Sequence, residues 1–497
     1  MSSKPNILII MSDEQRTDTL GCYGNNVIST PNVDALAKSG TKFTNCFTPY
    51  PLCCPARTSL WTSVYPHRNH VIGNWLAINP ELSDGGFVQH FREAGYDTMY
   101  TGKWHVPGTT PERLGFMRWS SIPVVLKGCD RGRYIEEYRE YVRELGYEIK
   151  EGHIENLTEN DLTKWIKNPK IHCGTADIKI EHYLETWQTE KLLDQMNECS
   201  DYKPFFAVCS YNSPHFPMIV PEPYDKKVAP DQVELSPNFC IGIDGKPQEV
   251  LNSKYYQDTK DLNESEWRKL IAHYWGFCSL VDDQVGKIID WLKQNNKFDN
   301  TIIIYTSDHG DMIGSHGLNQ KSWQMHYDET IRVPFIISGL GIHQGEIVED
   351  FISLMDILPT LSEMCGVEGC TGIDGISFAD IFNTGSNFSK RQYVLTETFQ
   401  NCHSGNGQHT DPESIMATEF RGMNLSIRTA KEKYIFHWDD IDEYYDLVSD
   451  PYENVNIANN PELSDKINLL RRIMATEIEK NSPRLMEMLL KKFQEKG

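Results

Sequence analysis

Two short apolar runs, far apart in the chain, each lead into a carboxylate, and they constrain the fold more than any other feature. Residues 6–11 read NILIIM and residues 301–305 read TIIIY, and Asp13 and Asp308 follow them within three residues. Runs that are apolar at successive positions are typical of strands buried on both faces, as in parallel sheets. Because open α/β sheets bind ligands at the carboxyl ends of their strands, the two carboxylates are expected at one shared site.

Other stretches predict a further strand and the helices that would cover such a sheet. Residues 203–211 (KPFFAVCSY) have the same character as the two apolar runs, and residues 31–37 begin with a proline suited to a helix start. Residues 272–292 carry apolar side chains at helical spacing, which predicts a helix. Asp282 and Asp283 are expected on the solvated face of that helix.

The chain divides by composition into a large α/β domain and a smaller C-terminal unit. We expect the α/β domain over residues 1–385, with the polar, weakly patterned residues 106–195 as a substrate-facing insertion. Residues 386–497 contain strand-like stretches, including paired strands around residues 424–447, and a terminal helix. They are expected to form an α+β subdomain.

The composition excludes several classes of protein. The formal net charge is −22, which argues against a nucleic-acid partner because phosphate binding needs clustered lysine and arginine. No apolar run approaches the roughly 20 residues of a spanning helix, so no membrane contact is expected. The N-terminal sequence lacks the pattern of a signal peptide, which predicts a cytoplasmic location. The 13 cysteines include no CxxC pair, so neither a disulfide framework nor a structural zinc site is expected.

Two adjacent cysteines precede a proline and an arginine in the segment PYPLCCPAR, residues 49–57. Pro55 favours the first turn of a helix, so Cys53 is expected beside the free N–H groups of a helix start. Arg57, four residues after Cys53, lies within reach of the same turn. We therefore expect an anion-binding environment that lowers the pKa of the Cys53 thiol.

The order of Cys53, Pro55 and Arg57 fits the pattern Cys-x-Pro-x-Arg and resembles the signature of type I sulfatases, in which that cysteine becomes formylglycine. The resemblance covers nearly the whole chain, in the order of the family. The matching segments include PNILIIMSDEQRTDTLGCYG (5–24), TSLWTSVYPHR (58–68), TGKWHVPG (101–108), SPHFP (213–217), SDHGDMIGSHGLNQK (307–321) and EYYDLVSDPYENVN (443–456). It implies an alkaline-phosphatase-like α/β fold, with a large mixed, mostly parallel sheet between helices and a C-terminal α+β subdomain on an antiparallel sheet.

The resemblance also implies a site for one divalent metal ion. The residues at the family's metal-binding positions are Asp13, Glu14, Cys53, Asp308 and His309. Most of these donors are oxygens, which favours Ca²⁺ or Mg²⁺ and makes Ca²⁺ the expected ion, while the histidine leaves Mn²⁺ open. Glu14 stands where the family often has aspartate, and His309 where it often has asparagine.

The implied reaction is hydrolysis of a sulfate monoester by the hydrate of formylglycine. The implied catalytic residues are Cys53, Arg57, Lys103, His105, His215, Asp308 and Lys321. Asp308 is the expected base for attack on sulfur, and His215 or Lys321 is expected to protonate the departing alcohol. His105 would then deprotonate the second hydroxyl of the adduct and expel sulfate.

The remaining two residues would hold the reacting groups. Arg57 is expected to position one hydroxyl of the hydrate, and Lys103 to bind the hydrate and the sulfate. The implied partners are a small-molecule or oligosaccharide sulfate ester and a formylglycine-generating maturation enzyme.

Three other functions stay open on the sequence. A phosphonate monoester or phosphodiester hydrolase would share the signature and an Asp–His metal pair. A metal-dependent phosphatase or mutase of the wider group would use a serine or threonine nucleophile, which the signature disfavours. A non-catalytic sulfated-glycan binding protein would not need the full set of catalytic residues that this chain carries.

Overall fold

The computed structural model of the protein describes residues 4–74, 77–122, 133–147, 173–384, 391–400, 422–480 and 482–496. The strands, in chain order, are β1 Asn6–Ser12, β2 Gly40–Phe47, β3 Asp97–Lys103, β4 Arg118–Ile122, β5 Cys173–Ala176, β6 Phe205–Ser210, β7 Met218–Pro221, β8 Thr301–Ser307, β9 Arg332–Gly339, β10 Glu346–Val348, β11 Ile352–Ser353, β12 Tyr393–Phe399, β13 Met423–Thr429, β14 Glu432–Phe436 and β15 Glu443–Asp446.

The described strands form a nine-stranded sheet, a four-stranded sheet and a two-stranded sheet of β5 and β7, and helices connect and cover them. The α-helices, in chain order, are α1 Pro31–Ser39, α2 Cys53–Thr62, α3 Pro66–Asn69, α4 Phe87–Glu93, α5 Arg133–Glu144, α6 Leu184–Asn197, α7 Gln248–Leu251, α8 Lys254–Gln257, α9 Glu264–Gln294, α10 Asp328–Ile331, α11 Ile357–Cys365, α12 Asp380–Thr384, α13 Ser464–Glu479 and α14 Pro483–Glu495. None of the helices that the structure describes combines the length and apolar character needed to cross a bilayer.

Nine strands of the described chain form the main sheet. Their order is β10-β2-β9-β8-β1-β6-β3-β4, with β11 beside β2. Strand β9 runs antiparallel to its neighbours β2 and β8, whereas the other pairings in this sheet are parallel. The prediction of a large mixed, mostly parallel sheet is therefore confirmed.

Strand β1 shows why the centre of the sheet is apolar at successive positions. Ile7 and Ile9 belong to one hydrophobic cluster, which α2, α4 and α11 cover. Leu8 and Ile10 belong to a second cluster on the opposite face, which α1, α6 and α9 cover. Because side chains alternate along a strand, both sets are buried only when helices pack on both faces.

The range predicted as an insertion contains a helix of the covering layer. Helix α6, at Leu184–Asn197, packs against β3, β6 and α9, and Leu192 and Met196 are fully buried there. Residues 123–132 and 148–172 of the predicted insertion lie outside the described residues. The insertion over residues 106–195 and the boundary after residue 385 stay predictions.

The C-terminal unit is built on an antiparallel sheet, as predicted. Strands β12, β13, β14 and β15 pair in that order, each antiparallel to the next. Helices α13 and α14 pack their apolar side chains on one face of this sheet, where the sequence pattern predicted a single terminal helix.

The prediction that Asp282 and Asp283 of the long helix α9 face solvent is wrong for Asp282, whereas Asp283 is partly exposed. Asp282 is only 1% exposed and accepts hydrogen bonds from the backbone N–H groups of Asn32 (3.2 Å) and Val33 (2.8 Å), in the first turn of α1. Asp283 accepts a hydrogen bond of 2.6 Å from the hydroxyl of Tyr224. The apolar spacing of α9 could not reveal that α1 begins against this face of the helix.

Replacing Asp282 with alanine is expected to destabilise the protein. The change removes the acceptor for two otherwise unpaired N–H groups at the start of α1, a loss of about 1–2 kcal/mol in the free energy of unfolding. Urea unfolding of Asp282→Ala, with Asp290→Ala on the exposed face of the same helix as control, measures it. Equal stability of the two variants would contradict this role for Asp282.

Candidate active site

The two carboxylates that follow the apolar runs lie side by side. Strands β1 and β8 pair in parallel with Ser12 opposite Ser307, so Asp13 and Asp308 leave the sheet at adjacent positions. The backbone N–H of Glu14 donates to Oδ1 of Asp308 at 3.2 Å, which ties the two strand ends together. The shared site at this edge of the sheet therefore has the placement that the sequence predicted.

Arg57 joins the strand ends to helix α2. Its guanidinium is completely buried and donates to Oδ2 of Asp308 at 2.7 Å and to Oδ2 of Asp13 at 3.0 Å. It also donates to the backbone carbonyl of Lys103 and to the hydroxyl of Ser210, both at 2.7 Å. These bonds engage every nitrogen of the guanidinium, so Arg57 fixes the carboxylates instead of reaching freely toward a ligand.

Cys53 is the first residue of α2, two positions earlier than the helix start expected at Pro55. Its Sγ lies 3.2 Å from Nε2 of His309 and 3.7 Å from both Oδ1 of Asp13 and Nζ of Lys103. Burial, followed by the charge of Asp13, raises the pKa of the Cys53 thiol to about 11. The predicted lowering of that pKa is wrong, because folding buries the thiol and brings the Asp13 carboxylate near it, and neither effect is visible in the local sequence.

Four side chains at this point present donor atoms suited to one metal ion. Asp13, Cys53, Asp308 and His309 each offer one ligand atom, and these atoms all lie within 4.8 Å of one another. Nδ1 of His309 is placed 2.9 Å from the carbonyl of Gly310, to which it donates, so Nε2 faces the cluster as an acceptor. Two carboxylates, a histidine and one further donor fit a divalent cation.

Lys103 and His105 come from the end of strand β3. The ammonium of Lys103 pairs with Oδ2 of Asp13. Burial opposes the charge of Lys103 most strongly, but Asp13, Cys53 and Asp308 together outweigh burial and raise the pKa of the ammonium. Nδ1 of His105 is buried and bonds to none of the described residues. Burial and then the charge of Lys103 lower the pKa of His105 well below its usual value, so the ring is neutral and able to accept a proton.

Glu14, His215 and Lys321 form a second group beside the metal cluster. Nζ of Lys321 lies 2.7 Å from Oε2 of Glu14 and 3.0 Å from Nε2 of His215. Burial works most strongly against the charged form of Lys321, but Glu14, Cys53 and Asp13 together outweigh burial and raise the pKa of the ammonium. Burial, and then the charge of Lys321, lowers the pKa of His215, so Lys321 holds the proton and His215 accepts its hydrogen bond.

Several side chains of the site are partly exposed. The side chain of His215 is 19% exposed and those of Lys103 and Lys321 are each 7% exposed, whereas those of Asp13 and Arg57 are fully buried. A ligand that reaches Cys53 from solvent would therefore meet His215 and the two lysines before the buried groups.

Two residues that support the site were missed in the sequence. Ser210, which accepts from Arg57, ends strand β6 in the run KPFFAVCSY, and the strand-end rule that identified Asp13 would also have indicated it. Asn74 accepts a hydrogen bond of 3.1 Å from the backbone N–H of Cys54 in the first turn of α2. No local pattern marks Asn74, because it reaches the helix from a separate loop.

Comparisons with known proteins agree with this geometry. A model of the sulfatase family matches residues 5–367, and a model of the C-terminal part of N-sulphoglucosamine sulphohydrolase matches residues 314–480. An arylsulfatase of Clostridium perfringens is 28% identical, over 96% of this chain and 95% of the relative. An N-acetylglucosamine-6-O-sulfatase of Bacteroides thetaiotaomicron is 26% identical, over 95% of this chain and 86% of the relative.

Solved structures share the fold. The phosphonate monoester hydrolase of Agrobacterium radiobacter superposes with a TM-score of 0.77 at 23% identity, covering 95% of each chain. The family match spans the strand ends, helix α2 and the second group of site residues. The chain therefore belongs to the sulfatase family of hydrolases.

Proposed function

We propose that this protein hydrolyses a sulfate monoester of a small molecule or a carbohydrate to the alcohol and inorganic sulfate, after Cys53 has been converted to formylglycine. The placement of Cys53 carries the proposal. Its Sγ, which marks the position of the modified side chain, contacts His309, Asp13 and Lys103 at the buried start of a helix. The residue that would become the nucleophile is thus surrounded by the groups that would hold a cation and an anion.

A bound cation would make the charges of the site more favourable for a sulfate. Three cations, Arg57, Lys103 and Lys321, face three acidic side chains, which are Asp13, Glu14 and Asp308, and burial raises the pKa of Glu14 well above its usual value. The acidic groups offset much of the positive charge, and a divalent ion would add the positive charge that attracts and stabilises an anion.

Asp13, Asp308, His309 and the modified Cys53 would hold that ion, and Ca²⁺ is the proposed metal. When bound, the ion withdraws charge from the sulfate oxygens, and the hydrate of formylglycine supplies the hydroxyl that attacks sulfur. Asp308, fixed by Arg57, is proposed to accept the proton of that hydroxyl.

The side of the site near solvent receives the departing alcohol. Lys321 carries its proton there, held between Glu14 and His215, so we assign proton donation to Lys321 and its orientation to His215. On the opposite side, neutral His105 is proposed to take the proton that releases sulfate. Lys103, paired with Asp13 and 3.7 Å from Cys53 Sγ, is proposed to bind the sulfate.

Two alternatives make different predictions. A phosphonate monoester or phosphodiester hydrolase is favoured by one observation, the presence of His309 in the metal cluster. A sulfated-glycan binding protein without catalysis would leave the protein inactive even when Cys53 is fully modified. The arrangement of Lys103, Lys321 and His105 around Cys53 supports catalysis on a sulfate ester.

Activity on matched esters tests the function. The protein is co-produced with a formylglycine-generating enzyme, and mass spectrometry of the Cys53 peptide reports the modification. We expect the rate on 4-nitrophenyl sulfate to exceed the rates on 4-nitrophenyl phosphate and on 4-nitrophenyl phenylphosphonate. Cys53→Ala should reduce the rate to background, whereas Cys54→Ala should retain most of it. A dominant phenylphosphonate rate would favour the phosphonate hydrolase, and inactivity of fully modified protein would favour the binding protein.

Substitution of Lys321 tests its assignment as proton donor. Lys321→Ala is expected to lower kcat/KM for an alkyl sulfate by about 10²–10⁴-fold, because the alkoxide needs a proton as it leaves. The loss on 4-nitrophenyl sulfate should be much smaller, because 4-nitrophenolate is a good leaving group. The exposed Lys287→Ala serves as the control. Equal losses on the two esters would remove Lys321 from proton donation.

Metal addition tests whether the four donor side chains of Asp13, Cys53, Asp308 and His309 bind a divalent ion. Metal-free protein should show a rise in Tm when Ca²⁺ is added, because binding to the folded state at 100 times Kd stabilises it by about 2.7 kcal/mol. His309→Ala should diminish the rise, and the exposed His343→Ala should not. A larger rise with Mn²⁺ than with Ca²⁺ would reassign the metal, and no rise with Ca²⁺, Mg²⁺ or Mn²⁺ would contradict the metal site.

A further inference from the structure

Glu14 lies next to a metal-binding residue in the sequence, but its carboxylate belongs to a different group in space. The four donors of Asp13, Cys53, Asp308 and His309 lie within 4.8 Å of one another, and Glu14 is grouped instead with Asp13 and His215. Each ligand of Ca²⁺ lies about 2.3–2.6 Å from the ion, so ligands on opposite sides of the ion can be about 5 Å apart. The four donors therefore suffice to hold an ion without Glu14, whereas Asp13, Glu14 and His215 form a second set of donors with the spacing that a cation needs.

The backbone of Glu14 has an unusual conformation that neighbouring groups hold in place. Its φ of +70° is the left-handed conformation, which a non-glycine residue adopts at a cost. Two hydrogen bonds hold this turn: the N–H of Glu14 donates to Oδ1 of Asp308 at 3.2 Å, and its carbonyl accepts from the hydroxyl of Tyr274 at 2.6 Å. The orientation of the side chain is thus fixed from both ends of the residue.

The ammonium of Lys321 occupies the position that a second cation would take. It lies 2.7 Å from Oε2 of Glu14 and 3.0 Å from Nε2 of His215, and the Glu14 carboxylate is 3.7 Å from the same imidazole nitrogen. The side chain of Glu14 is fully buried. Without a cation beside it, a carboxylate so placed would be strongly destabilised, and without Glu14 the buried ammonium would lack its counter-charge.

We propose that Glu14 is a positioning residue of the proton-donating side of the site and lies outside the coordination sphere of the metal. Its carboxylate fixes the ammonium of Lys321 against His215, where the departing alcohol would leave. The kinetic part of this inference rests on the proposed sulfate ester hydrolysis, whereas the metal part rests on geometry alone and is tested without turnover.

The first experiment measures metal affinity and needs no catalysis. Calorimetric titration of metal-free protein with Ca²⁺ compares the unsubstituted chain with Glu14→Gln, Asp13→Asn and the exposed Glu93→Gln. Asp13→Asn should weaken binding by about 10-fold or more, the scale seen when groups that govern a metal site are altered. Glu14→Gln should reduce the affinity much less than Asp13→Asn does, and Glu93→Gln should leave the affinity unchanged. A loss in Glu14→Gln as large as that in Asp13→Asn would overturn the proposal.

The second experiment is a double-mutant cycle on the modified enzyme. Glu14→Gln should lower kcat/KM for an alkyl sulfate much more than for 4-nitrophenyl sulfate, with the loss mainly in kcat. In the Lys321→Ala background, Glu14→Gln should cause no further loss, because the group that it positions is gone. Glu14→Asp, which keeps the charge, should recover part of the alkyl sulfate rate.

The outcomes separate this inference from the proposed function. Independent, additive losses from Glu14→Gln and Lys321→Ala would overturn the positioning role, while 4-nitrophenyl sulfate activity dependent on Cys53 would still support sulfate ester hydrolysis. If the modified enzyme has no sulfate ester activity, the proposed function fails, and the calorimetric result alone decides whether Glu14 is a metal ligand.

Discussion

The buried guanidinium of Arg57 is the interaction on which the site depends. It joins helix α2 to Asp13 after β1, to Asp308 after β8, to the carbonyl of Lys103 at the end of β3 and to Ser210 at the end of β6. These four strand ends and the helix that starts with Cys53 come from distant parts of the sequence. One planar, fully charged group with fixed donor directions sets their mutual geometry.

This arrangement carries a large electrostatic cost that the structure offsets locally. Taking Arg57, Asp13 and Asp308 out of water is unfavourable, and only close opposite charges and hydrogen bonds compensate for it. Burial alone would raise the pKa of Asp13, but Lys103 and Arg57 outweigh burial and keep that carboxyl ionised. The site therefore keeps negatively charged donors in a dry pocket, which is what tight binding of a divalent cation requires.

The sequence predicted the parts of the site that follow from strand ends. Buried strands can be recognised locally because apolar residues occupy successive positions. Parallel neighbours have their carboxyl ends at the same edge of the sheet, and this rule predicted that Asp13 and Asp308 lie side by side. The pattern Cys-x-Pro-x-Arg predicted that Cys53 and Arg57 lie close together, and both do lie at the start of one helix.

The predictions failed where a tertiary contact determines the environment of a side chain. The pKa of Cys53 follows burial and Asp13, which lies 40 residues away in the sequence. Asp282 is buried because the start of α1 packs on it, a contact between elements about 250 residues apart. Neither effect leaves a mark in the sequence around the residue that experiences it.

The C-terminal sheet also takes part in forming the site, although the chain enters it after the catalytic residues. Strand β12 binds the segment that precedes Cys53: the N–H of Glu397 donates to the carbonyl of Pro49, and that of Phe399 donates to the hydroxyl of Tyr50. The same strand also contacts the loop that follows Lys321, since the hydroxyl of Thr398 donates a hydrogen bond to the carbonyl of Trp323.

One strand thus supports the approaches to both the residue proposed as nucleophile and the residue proposed as proton donor. A division of the chain near residue 385 therefore separates two folding patterns but not two functions. A shift of β12 by even a fraction of an ångström would move Cys53 and Lys321 relative to each other, and such displacements are costly to catalysis because proton transfer needs contact distances.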